Sequence, residues 1–145
     1  MNQLLDIEAE TAALNSRKEQ LMKLIRLRDE VEDMEKLVFS GLLSKHKLKI
    51  VMEEVSGEFK LSIESLLMPS RRNEVVYPRM VVFYLARNCC DLSLESIAGM
   101  FQKDHTTVMH GEKTVKNRME TEKEFKVLVE KIESKCRDRF VKIPV

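Results

Sequence analysis

Glycine and proline are scarce, four and three residues of 145, and that scarcity favours an all-α protein over a turn-dense β domain. Cysteine is as rare. Its three residues are an odd number, with Cys89 and Cys90 adjacent, which makes no disulfide framework and fits a reducing cytoplasm. The longest apolar run, Met80 to Ala86, is far too short to span a membrane. No basic-then-apolar leader opens the chain, so secretion is not expected. The glycines are scattered and no G-x-x-x-x-G-K-[ST] occurs, which excludes a P-loop ATPase module. No C-x-x-C occurs either, and His105 and His110 lie about 140° apart on a helix, so neither a metal nor a cofactor is expected. Catalytic carboxylate clusters are missing as well. Most acids, such as Glu30, Glu32, Asp33 and Glu35, stand beside lysines as a solvated helix face, and no enzyme is expected.

Charge and apolar residues are abundant. Charged side chains make up 34% of the chain and hydrophobic ones 43%, with a net charge of only +1. The distribution matters more than the total. From Pro69 to Arg118, eight basic residues stand against five acidic ones, a surplus of three positive charges in one segment.

Residues 3–40 hold no proline or glycine and are dense in Leu, Glu, Lys and Arg, which predicts one long helix that Gly41 ends. Leu24, Leu27, Val31, Met34 and Val38 alternate spacings of three and four, a short heptad-like stripe. The stripe fits packing within the chain, a homodimer or a partner protein equally well. The predicted organisation is residues 1–47 as a long N-terminal helix and residues 48–145 as a helical domain. Within the latter, Ile50, Val51 and Val55 form an apolar stripe leading to a cap at Gly57. Leu61-Ser62-Ile63-Glu64-Ser65-Leu66 recurs nearly unchanged as Leu92-Ser93-Leu94-Glu95-Ser96-Ile97, each a serine N-cap followed by a short helix. Pro69 to Val76 reads as a loop with adjacent Arg71 and Arg72, and Pro78 as the first turn of a buried apolar helix. A last helix from about Glu120 to Arg139 sets Phe125, Leu128, Val129 and Ile132 on one face.

The segment Asp104-His105-Thr106-Thr107-Val108-Met109-His110 is the most informative. It follows the amphipathic stretch Ser93–Phe101 after a two-residue gap, the layout of a helix-turn-helix. Asp104 suits the N-cap, accepting from the backbone one turn on. At 100° per residue, Val108, Val115 and Met119 fall on one side of the helix and Thr106, His110, Lys113 and Asn117 on the other. That outward face carries no acid. It offers the side chains that groove insertion requires.

D-H-T-T-V-x-H in this setting resembles the C-terminal domain of the bacterial replication initiator DnaA. The resemblance runs from Val55 to Lys135 through Phe59-Lys60-Leu61-Ser62, Leu66-Leu67, Arg71-Arg72 and Pro78-Arg79. It implies a helical domain binding double-stranded DNA through a helix-turn-helix, with an added N-terminal helix here. By the same resemblance Asp104, His105 and Thr106 read base edges, and Thr107 bonds phosphate. Arg87 and Arg79 meet the DNA backbone, with Lys103 and Lys113 beside them. The family inserts an arginine from the basic loop into the minor groove. Counting through Leu66-Leu67 and Pro78 puts Asn73 at that position, with Arg72 and Arg71 one and two residues earlier.

The resemblance implies a role at origin-type boxes in replication initiation or transcription, without ATPase activity, in a cytoplasmic, nucleoid-associated protein. The competing expectation is an adaptor with weakened DNA binding. In it residues 3–40 dock on a replication or regulatory protein; separately, a homodimer through the same helix would let two modules recognise paired boxes.

Overall fold

The computed structural model describes residues 2–144 and consists of six helices. They are α1 (Asn2–Phe59), α2 (Ile63–Leu67), α3 (Asn73–Cys89), α4 (Leu94–Phe101), α5 (His105–Thr121) and α6 (Lys123–Val141). No strand occurs among the described residues, so the class is all-α as expected. The chain divides into two units, Met1–Gly41 and Leu42–Val145.

The first unit is helix alone. Every side chain from Gln3 to Gly41 is exposed, including the stripe at Leu24, Leu27, Val31, Met34 and Val38. Gly41 does not end the helix, contrary to expectation, and neither does Gly57. Neither glycine adopts a positive φ, and a helical glycine costs stability without stopping the ladder. The stop is Lys60, whose φ of 56° reverses the chain, while Leu61 N–H reaches back to the Ser56 carbonyl at 3.0 Å. That pairing is a Schellman cap built without glycine.

The second unit closes around α3, apolar nearly all round as its sequence predicts. Val81, Val82, Phe83, Leu85 and Ala86 are buried there and meet Val51 and Val55 of α1, Leu66 of α2, Ile97 and Phe101 of α4, and Val129 and Ile132 of α6 in one core. Each valine, leucine, isoleucine or phenylalanine among them contributes about 1.5–3 kcal/mol when fully buried. Phe83 and Phe101 meet edge to face, their ring centroids 5.0 Å apart. Cys89, Cys90 and Cys136 are free and buried in the same core. Burial pushes the Cys89 thiol up to about 11, with the Glu133 carboxylate adding to the effect. It pushes Cys90 and Cys136 up to about 12. These are packing residues, as free buried cysteines usually are.

Both predicted serine caps form. Ser62 accepts from the Ser65 N–H and Ser93 from the Ser96 N–H, each at 3.1 Å. Two boundaries differ from the sequence reading. Helix α3 begins at Asn73, so Pro78 sits inside it and not in its first turn. The proline removes only the bond to the Glu74 carbonyl, which lies at the exposed opening of the helix. Glu120 belongs to α5, and the break falls at Glu122, whose extended backbone separates α5 from α6. Arg118 braces that break by stacking over Phe125 at 4.1 Å and Tyr77 at 5.0 Å.

Candidate nucleic-acid interface

Helix α4 ends in a tight reversal that sets the direction of α5. Gln102 takes φ 53° and Lys103 N–H bonds the Ala98 carbonyl at 2.9 Å, a second Schellman cap without glycine. Asp104 then occupies the N-cap of α5 with extended backbone, φ −75° and ψ 150°. Contrary to expectation its carboxylate makes no bond to the helix's opening N–H groups. The Asp104 carbonyl starts the ladder by accepting from Thr107 N–H and Val108 N–H at 3.0 and 3.3 Å. Asp104, His105, Thr106 and Thr107 are all exposed. The helix therefore opens with a carboxylate, an imidazole and two hydroxyls turned to solvent. The N–H groups of His105 and Thr106 belong to the turn that helical bonding leaves free, at the positive end of the helix dipole.

The opposite flank anchors α5. Val108 and Val115 are buried, at 0% and 2% exposure, and Met119 packs against the same core. Thr106, His110, Lys113 and Asn117 face out, so the division expected from the helical wheel is the one observed. Gly111, which the sequence reading passed over, lies on the inward flank. A Cβ there would sit 2.9 Å from Phe83 Cδ2 and 3.2 Å from Met80 Cγ. The missing side chain lets α5 lie close on α3. Its position three residues after Val108 and four before Val115 was the available signal.

Lys103, half-buried, immediately precedes this turn, and Lys113 and Arg87 are exposed. Arg87 Nη1 donates to the Leu92 carbonyl at 3.0 Å, and its Nε lies 3.6 Å from the Glu112 carboxylate. Glu112 also pairs with Lys116 at 3.1 Å. Arg87 is thus oriented by its neighbours while part of its side chain stays open to solvent.

Arg79 departs from expectation. It was expected at the DNA backbone, yet it is only 5% exposed. Its Nε donates to the Leu66 carbonyl at 2.8 Å, its Nη1 to the Ser70 carbonyl at 3.2 Å and its Nη2 to the Met68 carbonyl. Burial pulls its pKa below the usual guanidinium value, though a guanidinium keeps its charge at neutral pH. A buried cation is tolerated where its donors are satisfied. Here they gather the carbonyls that leave α2 into one loop, and sequence spacing gave no sign of it. The loop, residues 68–72, carries Arg71 and Arg72 exposed. Asn73 is instead the first residue of α3, so the cations that project from the loop are Arg71 and Arg72. No group of three His, Cys, Asp or Glu residues able to hold a metal ion occurs among the described residues.

A short helix, a tight turn and a second helix braced on one side and polar on the other define a helix-turn-helix DNA-binding domain. Comparison with known proteins identifies which kind. The family model of the bacterial DnaA protein helix-turn-helix matches residues 48–115, and the chain carries a domain of that family. The chromosomal replication initiator protein DnaA of Bacteroides thetaiotaomicron is 39% identical over 85 residues, 58% of this chain and 18% of the relative. That of Oenococcus oeni is 33% identical over 90 residues, 61% of this chain and 20% of the relative. The crystal structure of a DNA replication initiation factor superposes with a TM-score of 0.64 at 31% identity, over 72% of this chain and 32% of that one. The chain spans about a fifth of the length of the curated relatives it matches.

Proposed function

We propose that the protein binds double-stranded DNA sequence-specifically at boxes of the initiator type and modulates replication initiation or transcription there, without ATPase activity. The observation carrying this reading is the opening turn of α5, where Asp104, His105, Thr106 and Thr107 are exposed together on a helix whose other flank is buried. The chemistry fits base readout. A free carboxylate accepts from the cytosine amino group, a histidine N–H donates to purine acceptors, and a threonine methyl packs on thymine. Thr107, Lys103, Lys113 and Arg87 would hold the phosphates. Arg71 or Arg72 would enter a narrow A·T-rich minor groove, where negative potential is concentrated. Arg79 would serve by shaping that loop.

The test is binding of the purified chain to a duplex carrying an A·T-rich box of the kind DnaA-type initiators bind and to a scrambled duplex, across a salt series. Box-dependent binding that weakens steeply with salt supports the reading. Equal, weak binding to both overturns it. The adaptor reading, with residues 3–40 as the docking element, would then take its place, and the exposed apolar residues of α1 give that reading its support.

A further inference from the structure

The stripe on α1 has a geometry that chooses its partner. Leu24, Leu27, Val31, Met34 and Val38 are between 52% and 63% exposed, and every side chain from Gln3 to Gly41 faces solvent. A helix in water draws most of its stability from burying one face, and the unit Met1–Gly41, a single helix, has no second element of its own to cover this stripe.

With Leu24, Val31 and Val38 as the a positions and Leu27, Met34 and Gly41 as the d positions, the flanking rows can be read directly. Arg28 and Glu35 occupy successive e positions, and Lys23 and Glu30 successive g positions. In a parallel, in-register pair, g of one helix meets the next e of the other. Lys23 would then lie beside the partner's Arg28, and Glu30 beside the partner's Glu35, with like charges at each site. Reversing one helix sets e against e. Arg28 then meets the partner's Glu35, and the two-fold axis repeats the pair. The apolar layers close equally well in that orientation, with Leu27 on the partner's Val38 and Val31 on the partner's Met34. Leu24 falls on the partner's Gly41. That glycine has no neighbour within 4 Å of where its Cβ would be and no positive φ, so nothing in its own chain calls for a glycine there. A leucine crossing it from a second helix would use the space.

We infer that residues 23–41 of α1 form an antiparallel coiled coil with a second copy of the chain. A second copy is favoured by charge complementarity, since Lys23, Arg28, Glu30 and Glu35 repel in the parallel arrangement, whereas in the antiparallel one the e row, Arg28 and Glu35, attracts its own copy. This goes beyond the DNA-binding reading and does not depend on it, because the association needs no DNA.

The experiment uses the full chain without DNA. Sedimentation across a concentration series should give a dimer. Leu24→Cys protein mixed with Gly41→Cys protein should form a disulfide between unlike copies under native conditions, where Cys89, Cys90 and Cys136 are buried. Leu24→Cys alone should not cross-link, because antiparallel pairing holds the two Leu24 positions roughly 25 Å apart along the axis. Arg28→Glu should weaken self-association roughly tenfold, and adding Glu35→Arg should restore it. Circular dichroism on each variant separates loss of pairing from loss of fold. A monomer at all concentrations overturns the proposal. So does a Leu24→Cys homodimer, or tighter association of Arg28→Glu, since parallel pairing would gain a contact between Lys23 and the new carboxylate.

Discussion

The opening turn of α5 and the loop at residues 68–72 both turn charged or polar side chains to solvent, but they are held in place differently. The turn is fixed by the helix that carries it. Val108 and Val115 lock α5 into the core, the Gln102 reversal sets its start, and four exposed side chains follow without further support. The loop has no regular backbone bonding of its own. Its shape depends on Arg79, a buried cation that takes the carbonyls of Leu66, Met68 and Ser70 from below. A helix can expose its opening side chains directly, whereas the loop that turns Arg71 and Arg72 outward rests on a second, buried arginine behind it.

The largest effect should come from removing that support. Arg79→Ala leaves three carbonyls without their donor and should cost about 3–5 kcal/mol of stability, less than three charged hydrogen bonds at about 1.5–3 kcal/mol each because the loop carbonyls regain water. Arg79→Lys should recover only part, because a compact ammonium lacks the planar fork. Thermal or urea unfolding gives the stability. Binding at low temperature, where the variant remains folded, gives the function. There Arg79→Ala should lose affinity for an A·T-rich box while keeping the base preferences set by α5. If Arg79→Ala folds with wild-type stability, the loop does not depend on it.

Substitutions in the turn should leave stability alone and change specificity. His105→Ala or Thr106→Ala should each cost about 1–3 kcal/mol on the matched duplex and little on a mismatched one. Competition binding with single-base variants of the box is the measurement. A uniform loss across all duplexes would remove both residues from readout. Gly111→Ala probes the support of the turn instead of its tip. Its Cβ would meet Phe83 Cδ2 at 2.9 Å, so α5 or the ring must shift, at about 1–3 kcal/mol. Gly99→Ala, on α4 with nothing within 4 Å, is the control and should be neutral or stabilising by up to about 1 kcal/mol.

The contrast also explains what the sequence made visible. Everything that follows from helical period was legible, including the buried α3, the two serine caps and the inward and outward flanks of α5. So was the exposed Asp104–Thr107 turn, because small polar residues at a helix opening carry their own signature. Chain reversals were not. Both Schellman caps use Lys60 and Gln102 in the left-handed region, where a reader of sequence looks for glycine, and Gly41 and Gly57 drew the prediction away. The burial of Arg79 is hidden in the sequence for a related reason. Following a proline in a basic segment, it reads as one more surface cation. Its burial is decided by carbonyls up to thirteen residues away, a relation that no local pattern encodes. Asn73 reads as loop in the sequence because a helix that starts five residues ahead of Pro78 runs against the usual place of a proline.

A smaller effect separates the two loop arginines from Asn73. Arg71→Ala and Arg72→Ala, compared with Asn73→Ala, should show which side chain meets the groove. The responsible arginine should cost about 1 kcal/mol or more on A·T-rich flanks and less on G·C-rich ones, because only the narrow groove concentrates the potential that attracts it. Asn73→Ala, in the first turn of α3, should change little. A loss confined to Asn73→Ala would reverse the assignment.

The smallest effect is expected at Arg87. Its Nη1 is committed to the Leu92 carbonyl and its Nε lies near Glu112, so only part of the guanidinium is free for phosphate. Arg87→Ala should weaken every duplex alike, by about 1 kcal/mol, and reduce the slope of log affinity against log salt by about 1. Removing it also releases Glu112, which keeps Lys116 as its partner at 3.1 Å, so the site should become less positive without unfolding. A sequence-dependent loss at Arg87 would mean that readout extends beyond the opening turn of α5, and the division between a turn that reads and a surround that grips would have to be redrawn.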